Sequence, residues 1–244
     1  MATPPVPTSY VRFADGVEQI QPNEDQLGDE TVASMARMAR MMFEKNRHAI
    51  RDAHAKSHGI LRGELHIYPN LPEHLAQGPF KEAKTYPVII RLSTSPGAIQ
   101  PDNQPAVKGF ALKIIGVPGK KFLPEEADAV TQDFLMVNDT IIPTGDVKSY
   151  HDMQLRIEKL AHGPEVVQTI VNEAGVLVDK LLEAVGTKKE LPMVVQAHPN
   201  NHILGETYTT LGAIRYGDYV AKISVAPLSD NVKALAGQEV DVKE

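Results

Sequence analysis

Cysteine is absent from the 244 residues. Disulfides, thiolate metal sites and cysteine nucleophiles are therefore excluded, and the redox compartment stays open. An excess of positive charge is also missing. The formal net charge is -6, which weighs against a nucleic-acid partner, because phosphates call for a basic face. No apolar run approaches the roughly 20 residues that a membrane-spanning helix needs. The start, Met1-Ala2-Thr3-Pro4-Pro5-Val6-Pro7, lacks the basic and apolar regions of a signal peptide. A cytoplasmic chain with no membrane partner is the expectation. G-x-G-x-x-G, a Walker loop and G-x-S-x-G are all missing, which removes the common nucleotide cradles and the hydrolase nucleophile elbow. Internal repeats and low-complexity tracts are missing too.

What remains is ordinary for a globular chain, with 42% hydrophobic and 23% charged residues and a length that one core can serve. Residues 1–29, proline-rich at the start, read as a flexible N-terminal arm, and 30–244 as one domain. Asp29 is placed to cap a helix from Glu30. Its apolar positions Val32, Met35, Met38 and Met42 fall near helical spacing, and the methionine stripe reads as a packing face. Strands are expected at 60–68, 87–94, 108–117 and 133–138, with a short helix at 71–80. Two helices split at Gly163-Pro164 are expected over about 147–186. Strands return at 193–197, 202–213 and 219–226. Strands joined by loops, then helices, then strands, indicate an α+β chain with an antiparallel sheet or barrel.

Nine histidines invite a metal reading. His54 and His58 would share a face if they lay on a helix, with His48, His66 or a carboxylate as a third zinc ligand. Gly59 follows at once, and no H-E-x-x-H is present, so zinc is disfavoured.

The stronger signal is distributed. Arg51-Asp52-Ala53-His54-Ala55-Lys56 precedes a strand, and Arg91-Leu92-Ser93-Thr94 ends another. Lys108-Gly109-Phe110-Ala111-Leu112-Lys113 begins a third. Asp133-Phe134-Leu135-Met136-Val137-Asn138 ends a fourth, and Thr144-Gly145-Asp146 follows. In this order and at these separations the segments resemble the catalase superfamily, most closely its small catalase-like haem proteins. The resemblance runs from about Arg51 to Ala226 and is strongest from Arg51 to Asp146.

That resemblance implies a catalase-like antiparallel β-barrel, incomplete at its C-terminal end, with an N-terminal helical arm, a helical insertion and haem b as cofactor. His54 matches the distal histidine, Asn138 the distal asparagine, and Ser93 the hydroxyl that bonds the histidine. Arg51 and Arg91 match basic residues near the haem propionates, and Ala53 a small residue over the ring. Met136 and Val137 would flank the pocket, and Tyr150 would lie against the haem. The implied activity is decomposition of hydrogen peroxide or an organic hydroperoxide. A neutral imidazole can carry a proton between the two peroxide oxygens, Ser93 can fix its tautomer, and an amide can donate without changing charge. The arginines would offset buried carboxylates.

Two features depart from the family. Lys108 stands where catalases usually carry arginine, and Pro143 where many carry phenylalanine. The iron ligand, a tyrosinate in catalases, is expected beyond Glu244. Arg215-Tyr216-Gly217-Asp218-Tyr219 has the right spacing but reads as a turn. Tyr208, Tyr216 and Tyr219 remain as fallback ligands, so the metal-binding residue is left unassigned. The competing reading is a non-catalytic barrel remnant or fragment. A possible homodimer is the expected assembly.

Overall fold

The computed structural model describes residues 9–95, 97, 99, 101–103, 106–142, 144–161 and 199–240. Pro143, the segment expected to hold the second insertion helix, and the strand expected at 193–197 lie outside them.

The first element is helix α1 (Glu24–Asn46), which begins a turn and a half before the expected Glu30 and places Asp29 inside it. The apolar stripe that signals a helix starts only at Val32, so it hides the polar first turns. Those turns are supported differently. Asn23 takes a left-handed φ of 64°, the Gln21 N–H donates to Glu24 Oε2 at 2.9 Å, and Glu24 and Asp25 sit at the positive end of the helix. The helix closes on Arg47 at φ 61°, with its N–H donating to Phe43 O at 2.7 Å. Met38 and Met42 are buried, with Thr31 and Ser34 completing the stripe, while Val32 faces solvent.

Helix α2 (Val147–Ala161) packs on α1. Asp146 caps it by accepting the Ser149 N–H at 2.7 Å. The joint is polar as well as apolar. Glu158 accepts Ser34 Oγ at 2.6 Å and Arg37 Nη2 at 2.8 Å. The buried His151 sits between Glu30 and Asp152, at 3.0 and 3.2 Å.

Strands β1 (Ser57–His66), β2 (Thr85–Thr94), β3 (Lys108–Ile115) and β4 (Thr131–Val137) form an antiparallel meander. β5 (Tyr208–Thr209) and β8 (Ser224–Val225) extend it to a six-stranded half-barrel sheet in the order β1-β2-β3-β4-β5-β8. The chain is therefore α+β. Alternation along each strand sends one set of side chains to the core. Tyr86, Val88, Ile114, Phe134, Met136 and Tyr208 are buried in one cluster.

The C-terminal strands are shorter than the sequence suggests. The stretch expected as one strand over 202–213 is a 3-10 turn (Ile203–Gly205), then two-residue β5, then a bend where Leu211 takes φ 53°. A Cβ at Gly205 would lie 2.5 Å from Leu235 O, so close packing replaces extension there. β6 (Ile214–Tyr216) and β7 (Tyr219–Ala221) form a separate hairpin whose turn uses Gly217 at φ 61°. The turn expected at Gly217-Asp218 is thus observed. The helix expected at 71–80 is instead a turn at Pro72 and a 3-10 turn at Gly78–Phe80, because Pro72, Gly78 and Pro79 interrupt any longer helical ladder. Asp230–Lys233 adds a single helical turn, α3.

Candidate functional site

β2 carries the centre of the site. Arg91 and Ser93 alternate with the core residues Ile90 and Leu92, so they point to the other face of the sheet. Register places Ser93 opposite Gly109 on β3, and Gly109 opposite Val137 on β4. The next row is Arg91, Ala111 and Leu135, and Ile60 on β1 lies beside Arg91.

His54 belongs to the turn before β1 and is held over this row from several directions. Its backbone takes φ 52°, an unusual conformation for a residue with a side chain. Its N–H donates to Ser95 O at 2.8 Å, and its carbonyl accepts Arg91 Nη2 at 2.7 Å. Its Nδ1 shares a hydrogen bond of 3.0 Å with Ser93 Oγ. The ring lies close on Gly109, where an added Cβ would stand 2.6 Å from His54 Nδ1 and Cε1 and 2.7 Å from Ser93 Oγ. Gly109 is therefore part of the site through the side chain it lacks, and nothing in the sequence pattern separates it from a packing glycine.

Electrostatics favour a neutral ring. Burial lowers the His54 pKa first, Arg91 and Arg51 lower it further, and Asp52 partly opposes them. Arg51 itself is exposed. Burial lowers the Arg91 pKa, with Arg51 adding to the effect. A guanidinium nonetheless stays charged at neutral pH.

Asn138 follows Val137 at the end of β4. Its Oδ1 accepts the Lys108 N–H at 2.7 Å and its own N–H donates to Lys108 O at 3.1 Å. Because the Lys108 N–H can only donate, the amide oxygen is assigned by its partner, and Nδ2 is left as the outward donor. The Lys108 side chain is buried, donates to Pro199 O at 3.4 Å, and has its pKa lowered by burial while Glu206 opposes.

The remaining expected residues divide. Val137 stands in the Gly109 row, but Met136 does not flank it. Met136 is 3% exposed and faces the apolar core, because neighbours in a strand point to opposite faces. Ala53 lies on the exposed side of the His54 turn. Tyr150, in the first turn of α2, is half-buried, and its pKa is raised by burial and then by Asp52 of the His54 turn.

The three fallback iron ligands each have a hydrogen-bond partner. Tyr208 OH donates to Ile203 O at 2.5 Å, Tyr216 OH to Leu75 O at 2.7 Å and Tyr219 OH to Glu73 Oε1 at 2.9 Å. Burial pushes the Tyr216 pKa up to about 12, and Tyr208 and Tyr219 are also raised. His54 and His58 lie in a turn and a strand, not on one helix face, and the described residues hold no cluster of three or more His, Asp or Glu suited to a metal ion.

Sequence reasoning missed a charged group beside the site. Lys56 Nζ lies 2.5 Å from Asp102 Oδ1, with His58 Nδ1 at 3.7 Å from the same atom, and the Asp102 carbonyl accepts Asn200 Nδ2 at 2.6 Å. Asp102 sits in a proline-rich loop remote in sequence from Lys56, so no local pattern marks it.

No protein-family model matches the chain, and no curated protein matches it.

Proposed function

We propose that this chain carries the distal side of the site of a haem-dependent, peroxide-decomposing oxidoreductase resembling the catalases. The arrangement of His54 carries this reading: a ring neutral by environment, seated on Gly109 and tied through Nδ1 to the buried Ser93. With Nδ1–H donating to Ser93 Oγ, Nε2 keeps its lone pair and can take a proton from one peroxide oxygen and return it to the other. Asn138 Nδ2 can donate to the same oxygens, and the Arg51 and Arg91 cations can accept the carboxylates of an amphipathic planar group. Ile60 and Leu135, 69% and 73% exposed on the outer sheet face, offer such a group apolar contact. The donor set and this face fit the distal side of haem b, which when bound would supply the iron that exchanges electrons with the peroxide. With hydrogen peroxide, two molecules would leave as two waters and one dioxygen. An organic hydroperoxide would use the same proton carrier.

A second reading, a barrel that binds without catalysing, is favoured by the three late tyrosines, whose hydroxyls all donate to oxygen. One titration separates the two. Haem is added to the purified chain while the Soret band and peroxide consumption are followed. The enzyme reading expects a saturable band and turnover that His54→Ala removes without removing the band. Turnover indifferent to His54 supports the binding reading, and no saturable uptake overturns the enzyme reading for the chain alone.

A further inference from the structure

β1 forms one outer edge of the six-stranded sheet, and no strand among the described residues pairs with its free side. Such an edge offers unpaired N–H and C=O groups to another strand, and folded proteins commonly blunt it with proline, bulges or short length. β1 carries a bulge at its start and the charges of Arg62 and Glu64, and is otherwise open. It contains no proline, its single irregularity falls between Ser57 and Gly59, and its register is regular from Gly59 to His66. Ile60 and Leu61 are 69% and 45% exposed along it. The opposite edge, β8, is only two residues long.

The side-chain order on β1 is self-complementary in one register. Two copies of a strand joined antiparallel by a two-fold axis normal to the sheet must share that axis at a residue, because residues directly opposite lie on the same face and faces alternate. An axis at Arg62 would oppose two guanidiniums, and an axis at Glu64 two carboxylates, both repulsive. An axis at Gly63 sets Arg62 opposite Glu64 of the second copy, and the reverse, on one face. On the other face it sets Leu61 opposite Leu65 of the second copy, and both of these leucines stand on the core side beside Ile90 and Tyr86. Arg62 has no hydrogen bond or ion pair among the described residues, and Glu64 meets only the exposed His66 at 3.4 Å. At the axis itself, Gly63 brings no side chain to crowd its own copy.

We propose that two copies of this chain pair through β1 into one continuous sheet, with Gly63 on the two-fold axis and reciprocal Arg62–Glu64 pairs fixing the register. The dimer and the peroxide reading are tested by separate measurements.

The test uses the full chain and three variants. Because the chain has no cysteine, Gly63→Cys introduces a single thiol at the axis, and its Cβ would stand 3.5 Å from Val88 Cγ2, an ordinary contact. Mild oxidation is expected to give a covalent dimer from this variant and not from Lys120→Cys on an exposed loop. In sedimentation equilibrium the parent chain is expected to dimerise reversibly. Arg62→Glu should weaken the dimer by about tenfold or more, since each attractive pair becomes repulsive. Arg62→Glu with Glu64→Arg should restore it. A parent chain that stays monomeric at the highest attainable concentration overturns the proposal, as does a dimer that Arg62→Glu leaves intact or that the double exchange fails to restore. Haem uptake by the monomeric Arg62→Glu variant reports separately on the functional reading.

Discussion

Along β2, Val88 and Leu92 point to one face of the sheet and are each 4% exposed, while Ile89, Arg91 and Ser93 point to the other. The same contrast runs across β4, where Phe134 and Met136 are buried and Leu135 between them is 73% exposed. One face holds the half-barrel together. The other gathers His54, Arg91, Ser93 and Gly109 on a surface that contributes little apolar burial. Polar groups that must meet a ligand can therefore be placed by strand register alone, without carving them into the core. The cost of disturbing each face should differ in kind: stability on one, geometry of the His54 ring on the other.

The sharpest break in that contrast is Phe134→Ala. It leaves a cavity beside Phe80 and Leu112 and should cost about 3–5 kcal/mol in urea unfolding. Leu135→Ala, one residue along, should stay within about 0.5 kcal/mol. Equal losses at both positions would erase the distinction between the faces. Gly109→Ala acts on the other face. Its Cβ would meet His54 and Ser93 at 2.6–2.7 Å, so the ring must move. A displacement on the order of 1 Å in a catalytic geometry is worth about a hundredfold in rate. On the proposed reading peroxide turnover should fall by about that factor; the His54 NMR resonances should shift, while the Phe134 cluster keeps its near-ultraviolet signature. Ser93→Ala follows. It removes the Nδ1 partner from a part-buried ring and should cost about 1–3 kcal/mol. Ser93→Thr, which keeps the hydroxyl, should recover part of that loss.

The two faces were not equally legible. The four long strands are marked by apolar, β-branched runs such as Val88-Ile89-Ile90-Arg91-Leu92, and the pairing of His54 with Ser93 was expected from the family resemblance. Met136 faces the apolar cluster, opposite to Val137, because the pleat assigns faces by parity, which a resemblance by position does not track. The start of α1 was hidden because Glu24 to Glu30 has no apolar stripe and relies on backbone conformation at Asn23. β5 and β8 were overestimated because apolar residues such as Ile203 and Leu211 lie in turns fixed by distant contacts, among them Gly205 against Leu235. The Lys56–Asp102 contact joins a strand entry to a loop, and only the folded chain brings them together.

The smallest expected effect tests the electrostatics of His54 directly. Burial and two arginines depress its folded-state pKa below the unfolded value of about 6.5. Above that unfolded value both states are neutral at this site, and the histidine adds no pH dependence. As pH falls through it, the unfolded chain takes up a proton that the folded chain refuses, so stability declines until the folded pKa is reached, and levels off below it. His58 is depressed in the same direction and contributes a parallel decline, so the diagnostic quantity is a difference. His54→Gln should reduce the slope of unfolding free energy against pH between the unfolded and folded pKa values without abolishing it. His54→Gln with His58→Gln should flatten it further. Lys108, lowered by burial, is common to all three chains, so its contribution cancels in the difference. A slope unchanged by His54→Gln would mean that the ring charges as freely in the folded chain as in the unfolded one. The neutral imidazole on which the proposed proton transfer depends would then lack its physical basis.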